Sequence, residues 1–102
     1  MGKEKITVNI DPDLEDLIPG FLSNRKEDIE KLRTAIKSSS LDDLRSIGHS
    51  LKGVGGGYGF QKITEIGAEI ENYAKSSNLD EIKKLIEDLD EYLDCVEIIY
   101  QE

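Results

Sequence analysis

From Asp11 onward, apolar residues recur every three or four positions in stretches separated by short polar breaks, and this rhythm leaves few folds open. A period near 3.6 belongs to a helix that buries one stripe. Leu14, Leu17, Ile18, Phe21 and Leu22 begin the pattern, and Ile29, Leu32, Ala35 and Ile36 continue it. Leu44, Ile47, Leu51, Val54 and Tyr58 mark a central stripe, and Ile63, Ile66, Gly67, Ile70 and Tyr73 a third, over about Gln61 to Lys75. Ile82, Leu85, Ile86, Leu89, Leu93, Val96 and Ile99 or Tyr100 define the last. Ser38-Ser39-Ser40 and Ser76-Ser77-Asn78 are the turns between them, and Ser40 with Asp43 and Asn78 with Glu81 stand at capping-box spacing. Four amphipathic helices on short connections must bury their stripes against one another. The expected fold is therefore all-α, an antiparallel four-helix bundle over residues 11–102.

The N-terminal part is less regular. Asp11-Pro12 reads as an N-cap followed by proline at the first helical position, but Pro19-Gly20 interrupts the stripe soon after. This predicts a short or kinked N-terminal helical segment and then a longer one from about Gly20 to Lys37. Residues 1–10 are expected as an extended lead-in. Ile6, Val8 and Ile10 alternate as in a strand, yet no other run in the chain offers itself as a partner.

Length and charge exclude several functions. A chain of 102 residues is one domain, too short to hold a nucleotide-binding kinase domain as well. With 13 Lys and Arg against 22 Asp and Glu, its net charge of −9 argues against nucleic acid and anionic membranes as partners. The single cysteine, Cys95, allows no intramolecular disulfide and suits a reducing compartment. Neither a run of about 18 apolar residues nor a basic-then-apolar leader is present, so a cytoplasmic location is expected. One histidine and one cysteine far apart do not make a metal site, and Gly55-Gly-Gly57-Tyr-Gly59 lacks the Gly-Lys-Ser/Thr of a phosphate-binding loop. Glu65, Glu69 and Glu71 read as part of a solvated face.

The lone histidine is the exception to a bland surface. On the central helix His49 points almost directly away from the apolar stripe, with Arg45 one turn before it, Lys52 and Gly53 three and four residues after it, and Gly56 two turns after it. Imidazole is nucleophilic near neutral pH. Lys52 and Arg45 are candidates to stabilise negative charge on a group carried there, although Arg45 paired with Asp42 or another acid fits as well. Each glycine inside a helix costs roughly 1 kcal/mol relative to alanine. Gly48, Gly55 and Gly59 form a smooth ridge for another helix to pack on; Gly53 and Gly56 leave room for a partner to approach the imidazole.

His49-Ser-Leu-Lys52-Gly53, followed by Gly59, resembles the His-x-x-Lys-Gly signature of histidine-containing phosphotransfer (HPt) domains. Val54-Gly-Gly-Gly57-Tyr58 stands where that family often has small polar residues. The resemblance implies a phosphocarrier rather than an enzyme: a helical bundle that accepts a phosphoryl group on His49 from a sensor histidine kinase or a receiver aspartyl phosphate. It then passes the group to a response-regulator receiver domain. No cofactor is implied in the chain itself, and magnesium only in the partner receiver. The alternative is an adaptor bundle that binds a receiver or other signalling partner without carrying phosphate.

Overall fold

The computed structural model describes residues 5–100, in four helices and two short strands. The helices are α1 (Ile18–Lys37), α2 (Leu41–Gly55), α3 (Gln61–Lys75) and α4 (Leu79–Cys95). Their buried side chains are those of the periodic stripes, from Phe21, Ile29 and Leu32 in α1 to Ile82, Ile86 and Leu89 in α4. Each fully buried Leu, Ile or Phe contributes about 1.5–3 kcal/mol, so the bundle is held chiefly by this shared core.

The serine turns act as expected and add a detail. Ser40 Oγ accepts from the Asp43 N–H at 3.4 Å, and Asn78 Oδ1 from the Glu81 N–H at 3.3 Å. Just before each cap, Ser39 and Ser77 adopt φ of 52° and 60°. That left-handed step turns the Ser40 N–H back to the Ala35 carbonyl and the Asn78 N–H back to that of Tyr73, both at 2.9 Å. Three residues thus close one helix and open the next.

Several boundaries differ from the sequence expectation. Pro19 does not break a helix: it lies in the first turn of α1, where its missing N–H has no helical acceptor to lose. The interruption comes earlier, after a single 3-10 turn, Pro12–Leu14, whose Asp11 Oδ1 accepts the Asp13 N–H at 2.9 Å. At the other end of the central stripe, α2 stops at Gly55 and a 3-10 turn, Gly56–Tyr58, follows. Gly59 then takes φ 91°, a conformation that side chains with a Cβ rarely adopt. Gly59 therefore does not belong to the ridge with Gly48 and Gly55. It reverses the chain into α3, and a side chain there would meet Ile10 Cδ1 at 2.8 Å.

The larger correction concerns the chain ends. Ile6–Ile10 is a strand, β1, and its partner is Val96–Tyr100, β2, which the helical rhythm had assigned to the last helix. The two run parallel, with Ile6 opposite Val96 and Ile10 opposite Tyr100. Val96, Ile98 and Tyr100 are half-buried against the core while Glu97 and Ile99 face outward, and Ile10 is buried. Val-Glu-Ile-Ile-Tyr is β-branched and aromatic, the composition that a pleated half-buried surface favours. Residues 1–4 of the expected lead-in and residues 101–102 lie outside the described residues.

The helix pair that matters for the site is α2 with α3. Gly48 and Gly67 face each other there, and their backbones touch: a Cβ on Gly48 would lie 2.9 Å from the Gly67 carbonyl oxygen, and one on Gly67 2.7 Å from that of Gly48. Gly55 sits in the same seam against Thr64.

Candidate functional site

The imidazole of His49 stands on α2 next to this close crossing, with its side chain 71% exposed. One turn beyond Gly67 on the facing helix is Glu71, and the near contact of the two backbones brings its carboxylate to the ring. His49 Nδ1 lies 3.0 Å from Glu71 Oε2, and Lys52 Nζ lies 3.4 Å from Glu71 Oε1. A carboxylate can only accept, so Nδ1 carries the ring proton and donates it. In the neutral ring Nε2 is then the nitrogen with the free lone pair, and it has no hydrogen-bond partner among the described residues.

Glu71 itself is only 12% exposed. Partial burial pushes its carboxyl up, but the hydrogen bonds from His49 and Lys52 and the Lys52 charge outweigh that and hold it below the ordinary carboxylate range. It is therefore an anion at neutral pH. The sign for a depressed acid is that the arrangement is intact above the ordinary carboxyl pKa and is lost as pH falls through the lowered one.

Sequence reasoning missed Glu71, having assigned it to a solvated face. A signal was available in the spacing. Thr64, Gly67 and Glu71 lie on one stripe of α3, and Gly67 marks a close approach with one polar residue a turn to either side. Thr64 was missed too: its Oγ1 accepts the Gly56 N–H at 2.7 Å and donates to the Lys52 carbonyl at 3.0 Å, fastening the end of α2 to α3.

The other expected residues divide. A Cβ on Gly53 would meet nothing within 4 Å, so the surface beside His49 is open there. Gly56 differs: its Cβ would sit 3.4 Å from Gln61 Oε1 and 3.5 Å from Thr64 Oγ1, and its N–H is bonded to Thr64. It is exposed at the edge of the α2–α3 seam, with less free space around it than Gly53. Arg45 is exposed and has no ion-pair partner among the described residues, so the pairing with Asp42 does not form. Lys52, at 49% side-chain exposure, leans on Glu71.

The family model for the Hpt domain matches residues 16–97, a span that runs from the turn before α1 into β2 and includes the whole site. The chain belongs to the Hpt domain family. Among relatives of this Hpt chain is the phosphorelay intermediate protein YPD1 of Candida albicans, 34% identical over 77 residues. That alignment takes in 72% of this chain and 42% of YPD1, so the chain spans less than half the length of the relative it matches. No solved structure gives a significant match. Among the described residues, no helix of this Hpt domain is long and apolar enough to cross a membrane.

Proposed function

We propose that the protein is a phosphorelay intermediate that carries a phosphoryl group on His49, between a sensor histidine kinase or phosphorylated receiver and a second receiver domain. The observation that carries this is the Nδ1 hydrogen bond to Glu71, which in the neutral imidazole places the proton on Nδ1 and turns the lone pair of Nε2 outward on a largely exposed ring. Nε2 attacks the phosphorus of a receiver's aspartyl phosphate. As the N–P bond forms, the P–O bond breaks, its electron pair stays with the leaving carboxylate, and Nδ1 keeps its proton. Transfer onward is the reverse of this step with a different carboxylate. Lys52 and Arg45 offset the negative charge that collects on the phosphoryl oxygens. Any magnesium is held by the partner receiver. Such a role would be cytoplasmic.

The test is to incubate the protein with a radiolabelled phosphorylated receiver domain and follow the label. A phosphoramidate on histidine is acid-labile and alkali-stable, whereas an acyl phosphate is not alkali-stable. Tight binding of the receiver without transfer of label would favour the adaptor alternative.

Gly53 provides a second check, because function and stability should part there. Gly53→Gln is expected to stabilise α2 by up to about 1 kcal/mol, since it replaces a helical glycine at an open position. The longer side chain rises one turn from His49, where a receiver's active site must reach bonding distance. Transfer should fall by about a hundredfold, the scale set by misplacing reacting atoms by about 1 Å. Normal transfer in a well-folded variant would show that no clearance is needed.

A further inference from the structure

We infer that Thr64 is a positioning residue for phosphoryl transfer: its hydroxyl, inserted into the last turn of α2, fixes Lys52 against α3 and so sets where the ammonium meets the phosphoryl group. This rests on His49 being the phosphoacceptor and on Lys52 offsetting charge at the group it carries.

In an uninterrupted α-helix the Gly56 N–H would donate to the Lys52 carbonyl, four residues earlier. Here it donates to Thr64 Oγ1 at 2.7 Å, and the hydroxyl donates in turn to the Lys52 carbonyl at 3.0 Å. One bond of the α2 ladder is thus replaced by two that pass through a side chain of α3. Threonine suits the task because it is stiff at χ1 and its single hydroxyl accepts and donates at once. The glycine at the end of α2 answers to the same bridge. A Cβ on Gly55 would lie 2.6 Å from the Thr64 backbone nitrogen and 2.8 Å from Thr64 Oγ1, so only glycine there lets the hydroxyl reach the ladder.

The bridge ends on the residue assigned to charge stabilisation. Lys52 meets α3 at three points: its backbone nitrogen lies where a Cβ on Gly67 would strike it, its carbonyl is held by Thr64, and its Nζ lies 3.4 Å from Glu71 Oε1. The turn that follows contains Gly53, Gly55 and Gly56, each of which weakens helical order. Without the hydroxyl, that turn is the part of α2 readiest to fray, and Lys52 stands at its start. A charge already in place needs no reorganisation at the moment of transfer, which is what makes it effective in a transition state.

The experiment is a double-mutant cycle in the full chain, with Thr64→Val, Thr64→Ser, Lys52→Ala and the Thr64→Val, Lys52→Ala pair. Single-turnover transfer from a radiolabelled phosphorylated receiver to His49 gives a maximal rate and a half-saturating receiver concentration for each, well below the unfolding temperature of the least stable variant. Thr64→Val keeps the shape of the side chain and loses the hydroxyl. It should lower the maximal rate about tenfold or more and shift the half-saturating concentration less than about twofold, as expected when one charge is displaced but the docking surface is kept. Thr64→Ser retains the hydroxyl and should restore most of the rate. In the Lys52→Ala background, Thr64→Val should cost less than about twofold more, because the threonine acts through the lysine. Wild-type transfer in Thr64→Val, a Thr64→Ser variant as slow as Thr64→Val, or the same fold loss with and without Lys52 would each overturn the inference, the last being the mark of a residue that only holds the helices together. If Lys52→Ala itself transfers normally, the inference falls while the role of His49 stands. Failure of the wild-type chain to accept label on His49 would instead overturn the phosphotransfer role.

Discussion

His49→Gln is expected to abolish phosphoryl transfer to the protein altogether while leaving the fold almost untouched. His49 is the sole histidine of the chain, so the substitution removes its entire capacity to form a phosphohistidine. The side chain is 71% exposed and contributes little packing, and glutamine is a good helix former whose amide can still donate to Glu71. Stability should therefore stay within about 0.5 kcal/mol of wild type. Labelling from a phosphorylated receiver, read beside thermal melting by circular dichroism, checks both halves. Acid-labile label surviving in a well-folded variant would mean that another residue accepts the phosphate.

Gly67→Ala should produce the opposite pattern, a large loss of stability at a position that carries no chemistry. The added methyl would strike the Lys52 backbone nitrogen and lie 2.7 Å from both the Gly48 carbonyl oxygen and Leu51 Cβ. None of these is the yielding end of a flexible side chain, so α2 and α3 must move apart along the seam. A cost of about 3 kcal/mol or more is expected, at the upper end for overpacking. For a domain of this size that lowers the melting temperature by about 12 °C or more. Separation of the helices also draws Glu71 away from His49, so transfer should decline in folded protein as well. Gly53→Ala, on the open face, is the control: the same added methyl should raise the melting temperature slightly. Equal behaviour of the two alanine variants would refute the close α2–α3 contact.

What was legible in the sequence is what lies within one helix. The spacing of Leu44, Ile47 and Leu51 turns His49 outward, and the structure gives it an exposed side chain. Ser40 and Asn78 announce the starts of α2 and α4 because capping depends on residues three apart in the chain. The glycine at 67 hinted at a close approach, although it did not name the helix that would come close.

The sequence by itself determined the four helices, the caps of α2 and α4 and the outward direction of His49, because each follows from interactions over three or four residues. Only the tertiary structure decided the rest. Val96–Tyr100 fits a helical rhythm until Ile6–Ile10, at the far end of the chain, supplies its parallel hydrogen-bonding partner. Glu71 looks like any solvated acid until the Gly48–Gly67 crossing delivers it to Nδ1. Gly59 looks like a helical ridge position until the chain must reverse there, at φ 91° over Ile10. In each case the deciding atom comes from a distant part of the chain, and no periodicity along a single helix specifies which one it will be.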